Sequence, residues 1–195
     1  MADYDDSTAL LVIDMQNDFV DPRGGLAVSG ALDVVPIVNE EVATATAAGS
    51  PVVYTQDWHP ESTPHFATSG GVWPVHCVRE TWGAELHPDL TVAGPVLRKG
   101  TGGEDGYSGF SVRNPVSGEE SSTELGAWLD ERHVRRVVVV GVAGDVCVKE
   151  TALDARRRGL DVVVPLRATR SVERQPGDEE RAVVEMQDAG VLVER

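Results

Sequence analysis

Apolar positions along the chain fall into short blocks separated by stretches with helical spacing. Residues 9–13 form an unbroken apolar run that stops at Asp14. Residues 51–55 and 95–98 read as two further strands. Residues 136–141 contain consecutive valines from Val137 to Val140, the pattern of a strand buried on both faces. Residues 161–164 and 191–193 complete a set of six strands. Between these blocks, 33–48, 121–132, 145–158 and 178–188 carry helical periodicity. Gly49 and Gly159 stand where the first and third of these helices would close. The Ser-Ser-Thr-Glu run at 121–124 offers N-cap chemistry for the second. Such alternation predicts one α/β domain over residues 1–195, built on a mostly parallel sheet with helices on both faces.

Two segments, 56–94 and 100–118, break this rhythm. They are rich in Gly, Pro and His, and loops of that length inside a domain usually carry function. The unusual polar residues cluster around them. Asp14 closes the first predicted strand, Asp57 follows the second, Lys99 closes the third, and Cys147 lies in the first turn of the helix after residues 136–141. In open parallel sheets, ligands bind beyond the carboxyl ends of the strands, where strand order reverses. All four residues fall on that edge.

The residue types on this edge suit acyl transfer. A helix N-terminus stabilises a thiolate through its unpaired N–H groups and dipole, and a neighbouring lysine adds to this. The same N–H groups can hold an oxyanion, and an aspartate within reach can carry the thiol proton to a leaving amine. Alone, Cys147 would read as an inert buried cysteine and Asp14 as a turn former or helix cap. Their shared edge favours a nucleophile and its base. His59, His65 and His76 fall within one loop, just after Asp57. Any one of them alone would read as a surface histidine; as a set with a carboxylate they suit zinc, iron or manganese. His87 and His133 fit no cluster. Phe19, Trp58, Trp73 and Tyr107 sit in loops where rings form the walls of small-ligand pockets, although Trp58 is better explained by local packing.

Composition narrows the classes. Across 195 residues the net charge is −15, which disfavours nucleic acid and anionic membranes as partners and is compatible with a homo-oligomer. No apolar run has the length of a membrane span, and the first residues lack the features of a signal peptide. Cys77 and Cys147 are therefore expected to be free thiols in a cytoplasmic protein. Among 17 basic residues only Lys99 and Lys149 are lysines. A chain this biased toward arginine points to Lys99 as a place where arginine chemistry will not serve.

Seven stretches together resemble the nicotinamidase/pyrazinamidase branch of the isochorismatase-like cysteine hydrolases. They are residues 11–19 (LVIDMQNDF), 54–59 (YTQDWH), His65-Phe66, 73–77 (WPVHC), Lys99-Gly100, 107–110 (YSGF) and 141–155 (GVAGDVCVKETALDA). The resemblance implies a doubly wound sheet of six strands in the order 3-2-1-4-5-6. It implies a catalytic triad of Asp14, Lys99 and Cys147, and one divalent metal ion held by Asp57, His59, His65 and His76. It implies substrate contacts at Phe19, Trp73, Tyr107 and Val142. It also implies a cis Val142–Ala143 peptide that directs the Ala143 N–H, with that of Cys147, into an oxyanion hole. The implied substrate is a small aromatic amide, nicotinamide above all, with its ring nitrogen on the metal. Gly144 and Val146 depart from the family's common Thr and aromatic or His, and the acidic pair Glu104-Asp105 lies between Lys99 and Tyr107. These departures bear on substrate range.

Three other readings compete with this one. An isochorismatase or N-carbamoyl amidase of the same superfamily would generally lack the three-histidine set. A catalytically silent binding module would be free to lose Lys99 or Cys147. A metal-binding redox protein using Cys77 and Cys147 would want a CxxC pair, which is absent from the sequence.

Overall fold

The computed structural model describes residues 3–195. Its central sheet is built from β1 (Thr8–Ile13), β2 (Val52–Asp57), β3 (Val96–Lys99), β6 (Arg136–Val142), β7 (Asp161–Pro165) and β9 (Leu192–Glu194), in the order β3-β2-β1-β6-β7-β9. Between β3 and β6 lie β4 (Ser111–Arg113) and β5 (Glu120–Ser122), which form a separate antiparallel pair. A short strand, β8 (Thr169–Arg170), adds to the end of β6, so among the described residues the sheet has seven strands rather than the six expected. All pairings within the large sheet are parallel, and the six main strands follow the expected order.

The apolar runs form strands because both faces of the sheet are covered. Leu10 and Val12 of β1, with Val138, Val140 and Val142 of β6, point into one core layer. The intervening Ala9, Leu11, Ile13, Val137 and Val139 point into the other. The strand period of two therefore feeds two cores, and polar alternation disappears from the sequence. Helix α1 (Asn17–Val20) is a single turn, and α2 (Ala31–Ala47) packs with it over the first core. Helices α3 (Leu125–Asp130), α4 (Lys149–Arg157) and α5 (Asp178–Asp188) cover the second. The acidic residues Asp178, Glu179 and Glu180 occupy the first turn of α5, where they oppose its positive dipole end.

One helix boundary differs from expectation. Residues 121–132 read as a single helix, but Ser121 and Ser122 pair with Val112 and Ser111 in the β4–β5 hairpin. The N-cap is Glu124, which makes no side-chain cap bond, and the hydroxyl of Thr123 just before it accepts the Leu125 N–H at 3.2 Å. The serines that looked like cap residues gain more from the long-range ladder, and the second irregular segment is thus partly ordered by a hairpin.

Strands β1 and β6 lie side by side with Ile13 opposite Gly141. Gly141 has φ +110°, and a Cβ there would stand 2.2 Å from the Ile13 carbonyl oxygen. Only glycine fits this approach. It lets the chain leave β6 directly beside the end of β1, so that Asp14 and the turn carrying Cys147 face one another.

Candidate active site

Asp14 follows β1 in a left-handed conformation, φ 49°, which turns its side chain off the strand path and under the sheet edge. The Thr55 hydroxyl donates to its Oδ1 at 2.7 Å, and Lys99 Nζ lies 2.8 Å from its Oδ2. In-register pairing of β2 and β3 sets Asp57 beside Lys99, and Nζ donates to Asp57 Oδ1 at 2.6 Å. The third ammonium direction goes to the Gly106 carbonyl. Lys99 is thus a fully buried cation shared by two fully buried carboxylates.

Cys147 lies in a π-helical turn (Gly144–Val148) that leads into α4. The Ala143 carbonyl accepts from the N–H groups of Val146 at 3.1 Å and Val148 at 3.0 Å, which bracket Cys147. Local π geometry of this kind recurs at functional sites. The Val142–Ala143 peptide is cis, and among the described residues no backbone carbonyl accepts the Ala143 N–H. One oxygen each of Asp14 and Asp57 and the sulfur of Cys147 lie within 4.8 Å of one another.

The electrostatics follow from burial and from one cation among several acids. Burial raises the Asp14 carboxyl to about 6, with Lys99 opposing and Asp57 adding to the rise. Burial also pushes Asp57 up, but the Lys99 ammonium reverses this and leaves it below the ordinary carboxylate range. Burial pulls Lys99 down, yet its two carboxylates outweigh that and hold it well above the usual lysine value. Burial pushes the Cys147 thiol well above its ordinary range; Lys99 opposes, while Asp14 and Asp57 add to the rise. The sequence suggested a thiolate stabilised by Lys99. In the structure Lys99 also serves two carboxylates, and the balance on Cys147 is upward, toward the thiol form, beside a carboxylate base.

The three histidines converge as expected: one ring nitrogen from each of His59, His65 and His76 lies within 4.8 Å of the others. His59 follows β2 and is fully buried, and among the described residues neither ring nitrogen has a hydrogen-bond partner. Burial lowers it to about 4. A neutral imidazole with free nitrogen atoms in a dry site is the donor a divalent metal requires. His76 donates from Nδ1 to the Pro74 carbonyl at 2.7 Å, which leaves Nε2 free. Asp57 stands beside this group, its Oδ2 3.9 Å from His59 Nε2, while its other oxygen serves Lys99. These residues fit a metal ion on both donor chemistry and orphaned polar atoms. Gly100, at φ +70°, lies so close under the His59 ring that a Cβ there would come within 2.6 Å of its Cε1.

A cleft enclosing about 400 Å³ of non-protein space, part of it open to solvent, connects the two groups. Phe19, Trp73 and Tyr107 line it together with Asp57, His65, His76, Ala143 and Cys147. Trp73 donates from Nε1 to the Tyr107 hydroxyl at 2.9 Å, which fixes both rings. Val142 does not line the cleft. Its side chain points into the first core layer, because strand alternation continues through β6, and Ala143 and Val146 form that wall instead. Trp58 packs on the first core layer beneath the Arg98 guanidinium, 3.7 Å from its ring centroid, in keeping with a packing role.

Sequence reasoning passed over two supports. Gln16, fully buried, accepts the Asp57 N–H at 2.8 Å and donates to the Asp57 carbonyl at 2.8 Å, clamping the backbone of that residue. Thr55 holds Asp14. Both are polar residues at or beside the ends of apolar strands, and that incongruity was the available signal. Cys77 is buried and, like Cys147, a free thiol; it does not line the cleft.

The chain matches the isochorismatase domain over residues 8–194. It belongs to the isochorismatase family. Among its relatives is the nicotinamidase of Escherichia coli, 36% identical over an alignment covering 95% of this chain and 93% of that protein. The PnC1 protein from L. infantum in complex with nicotinate superposes with a TM-score of 0.89 at 36% identity, covering 98% of this chain and 94% of that one. The pyrazinamidase of Pyrococcus horikoshii in complex with zinc gives 0.85 at 38% identity, covering 96% and 98%. This member of the isochorismatase family therefore groups with the nicotinamidase/pyrazinamidase branch. Among the described residues, no helix is long and apolar enough to cross a membrane.

Proposed function

We propose that the protein is a nicotinamidase that hydrolyses nicotinamide to nicotinic acid and ammonia through a Cys147 thioester, and that it also accepts pyrazinamide. The observation that carries this reading is the opening of one cleft onto both Cys147 and two members of the three-histidine group, His65 and His76, with Asp57 beside them. The nucleophile would act at one end of a flat ring whose other end a metal could hold. The nicotinate and zinc complexes of similar structures support both halves. The histidine set also favours this reading over an N-carbamoyl amidase or isochorismatase.

In the proposed cycle, Asp14 accepts the thiol proton as Cys147 Sγ attacks the carboxamide carbon. The N–H groups of Ala143 and Cys147 receive the oxyanion. Lys99 holds the Asp14 carboxylate in place through transfer, and Asp14 then returns the proton to the departing ammonia. A water molecule, deprotonated by Asp14, attacks the thioester; the acyl–sulfur bond breaks, the acid leaves, and the Cys147 sulfur takes the proton back from Asp14. Phe19 and Trp73 provide ring walls, with Tyr107 fixing Trp73. His59, His65, His76 and Asp57 would hold one divalent ion, zinc, iron or manganese. When bound, that ion supplies a Lewis-acidic anchor for the ring nitrogen. We assign the protein to the cytoplasm, in keeping with its two free thiols.

Ammonia release from purified protein tests the activity. Nicotinamide and pyrazinamide should be turned over and carbamoyl amides should not; turnover confined to carbamoyl substrates would overturn the assignment. Exhaustive chelation should abolish release and readdition of zinc, iron(II) or manganese should restore it, whereas full activity in a preparation shown to be metal-free would remove the anchor. The acid limb of the pH profile tests the base. Asp14 must be ionised to accept the thiol proton, so kcat/KM should fall about tenfold per pH unit below about 6 and level off above it. A profile flat down to pH 4.5 would exclude Asp14 from that role.

A further inference from the structure

His59 is set by the end of β2 and His76 by its bond to Pro74, whereas His65 is held differently. His65 lies on a loop well away from any strand end, yet its ring is almost fully buried. Its Nδ1 is 2.6 Å from Oδ1 of Asp105. An ionised carboxylate only accepts hydrogen bonds, so this contact places the ring proton on Nδ1 and leaves Nε2 as the free lone pair.

Asp105 is itself held from behind. Its N–H donates to the Arg113 carbonyl at 2.8 Å and its carbonyl accepts the Arg113 N–H at 3.0 Å, in an antiparallel bridge. Arg113 ends β4, which β5 pairs in turn. A second tie runs parallel to the first: the Thr63 hydroxyl donates to the Gly103 carbonyl at 2.6 Å and accepts the His65 N–H at 3.2 Å. The segment between Lys99 and Tyr107 therefore grips the histidine loop at two points. Asp105 supplies the only carboxylate hydrogen-bonded to a ring nitrogen of the three histidines among the described residues.

We propose that Asp105 is a positioning residue for the metal site, orienting His65 and fixing its tautomer, with the β4–β5 hairpin as its support. This rests on the three-histidine set being a metal site. It gives the acidic residue between Lys99 and Tyr107 a role other than setting substrate range. Glu104 has no share in it, because its carboxylate turns back onto the Gly102 N–H at 2.9 Å.

The test is zinc affinity, measured by competition with a chromophoric chelator on metal-stripped wild type, Asp105→Ala and Asp105→Asn. Carboxylate partners of metal-binding histidines contribute about 10–100-fold in affinity. The alanine variant should lose that much, and the asparagine variant, which keeps an acceptor but no charge, should fall between. The hairpin is held through backbone groups, so the metal-free melting temperatures should agree while the zinc-induced rise in melting temperature shrinks in the same order. Zinc affinity in Asp105→Ala within about twofold of wild type would overturn the proposal and leave the metal site intact. A wild type that binds none of zinc, iron(II) or manganese would overturn the metal site and this role together.

Discussion

Cys147→Ala should leave a folded protein that releases ammonia from nicotinamide at least about 10⁴-fold more slowly than the wild type, the scale seen when a covalent nucleophile is removed. The substitution deletes one sulfur atom from a site already shaped by the π turn, and every backbone contact of that turn is retained. Binding should survive, because Phe19, Trp73 and the histidines stay in place. Circular dichroism and the melting curve should be close to those of the wild type, and the variant should still bind nicotinate. Retained turnover would exclude Cys147 as nucleophile; loss of turnover together with loss of the fold would point to a packing role for the thiol.

Lys99→Met should cost both activity and stability. The ammonium lies between Asp14 and Asp57, all three within 5% exposure. Removing it leaves two carboxylates buried without their cation, and breaking such a pair from one side costs about 3–5 kcal/mol. For a chain of this length that corresponds to roughly 6–20 °C in melting temperature. Turnover should fall on the order of 10²–10⁴-fold, since Asp14 loses both its orientation and its charge partner. Adding Asp14→Asn should restore part of the lost stability while activity stays absent, because it removes one of the two unpaired charges. A Lys99→Met protein that melts within about 2 °C of wild type would refute the shared-cation arrangement.

How far the sequence revealed this depended on what each residue does. Residues 9–13 and 136–141 were legible as strands because two cores demand apolar side chains on both faces. The strand Thr169–Arg170 was not, since it exists only by pairing with the end of β6 and carries no apolar run. The β4–β5 hairpin was hidden for a similar reason: its serines look like cap residues until the partner strand is known. In the site, residues whose side-chain chemistry is rare stood out: one cysteine, one lysine, three histidines. Residues that act by holding others did not, because Gln16 on the Asp57 backbone and Thr55 on Asp14 have ordinary side chains. Val142 was placed in the site by resemblance, whereas strand alternation carries it into the core. The upward push on the Cys147 thiol was also beyond the sequence, because it depends on burial and on one ammonium being divided between two acids.

The strand bearing Asp14 has further consequences for how the site comes apart. β1 is buried along its whole length and bonded on both sides, to β2 and to β6. Amide groups in such a strand exchange with solvent only when the whole domain opens, while loops with few ladder bonds open on their own. Asp14 is therefore tethered to the most persistent unit of the fold. His65 and His76 are held by isolated bridges and side-chain ties. Partial opening would then release His65 and His76 first and leave Asp14 and Cys147 facing each other: a nucleophile without its full anchor, restored when the loop closes again.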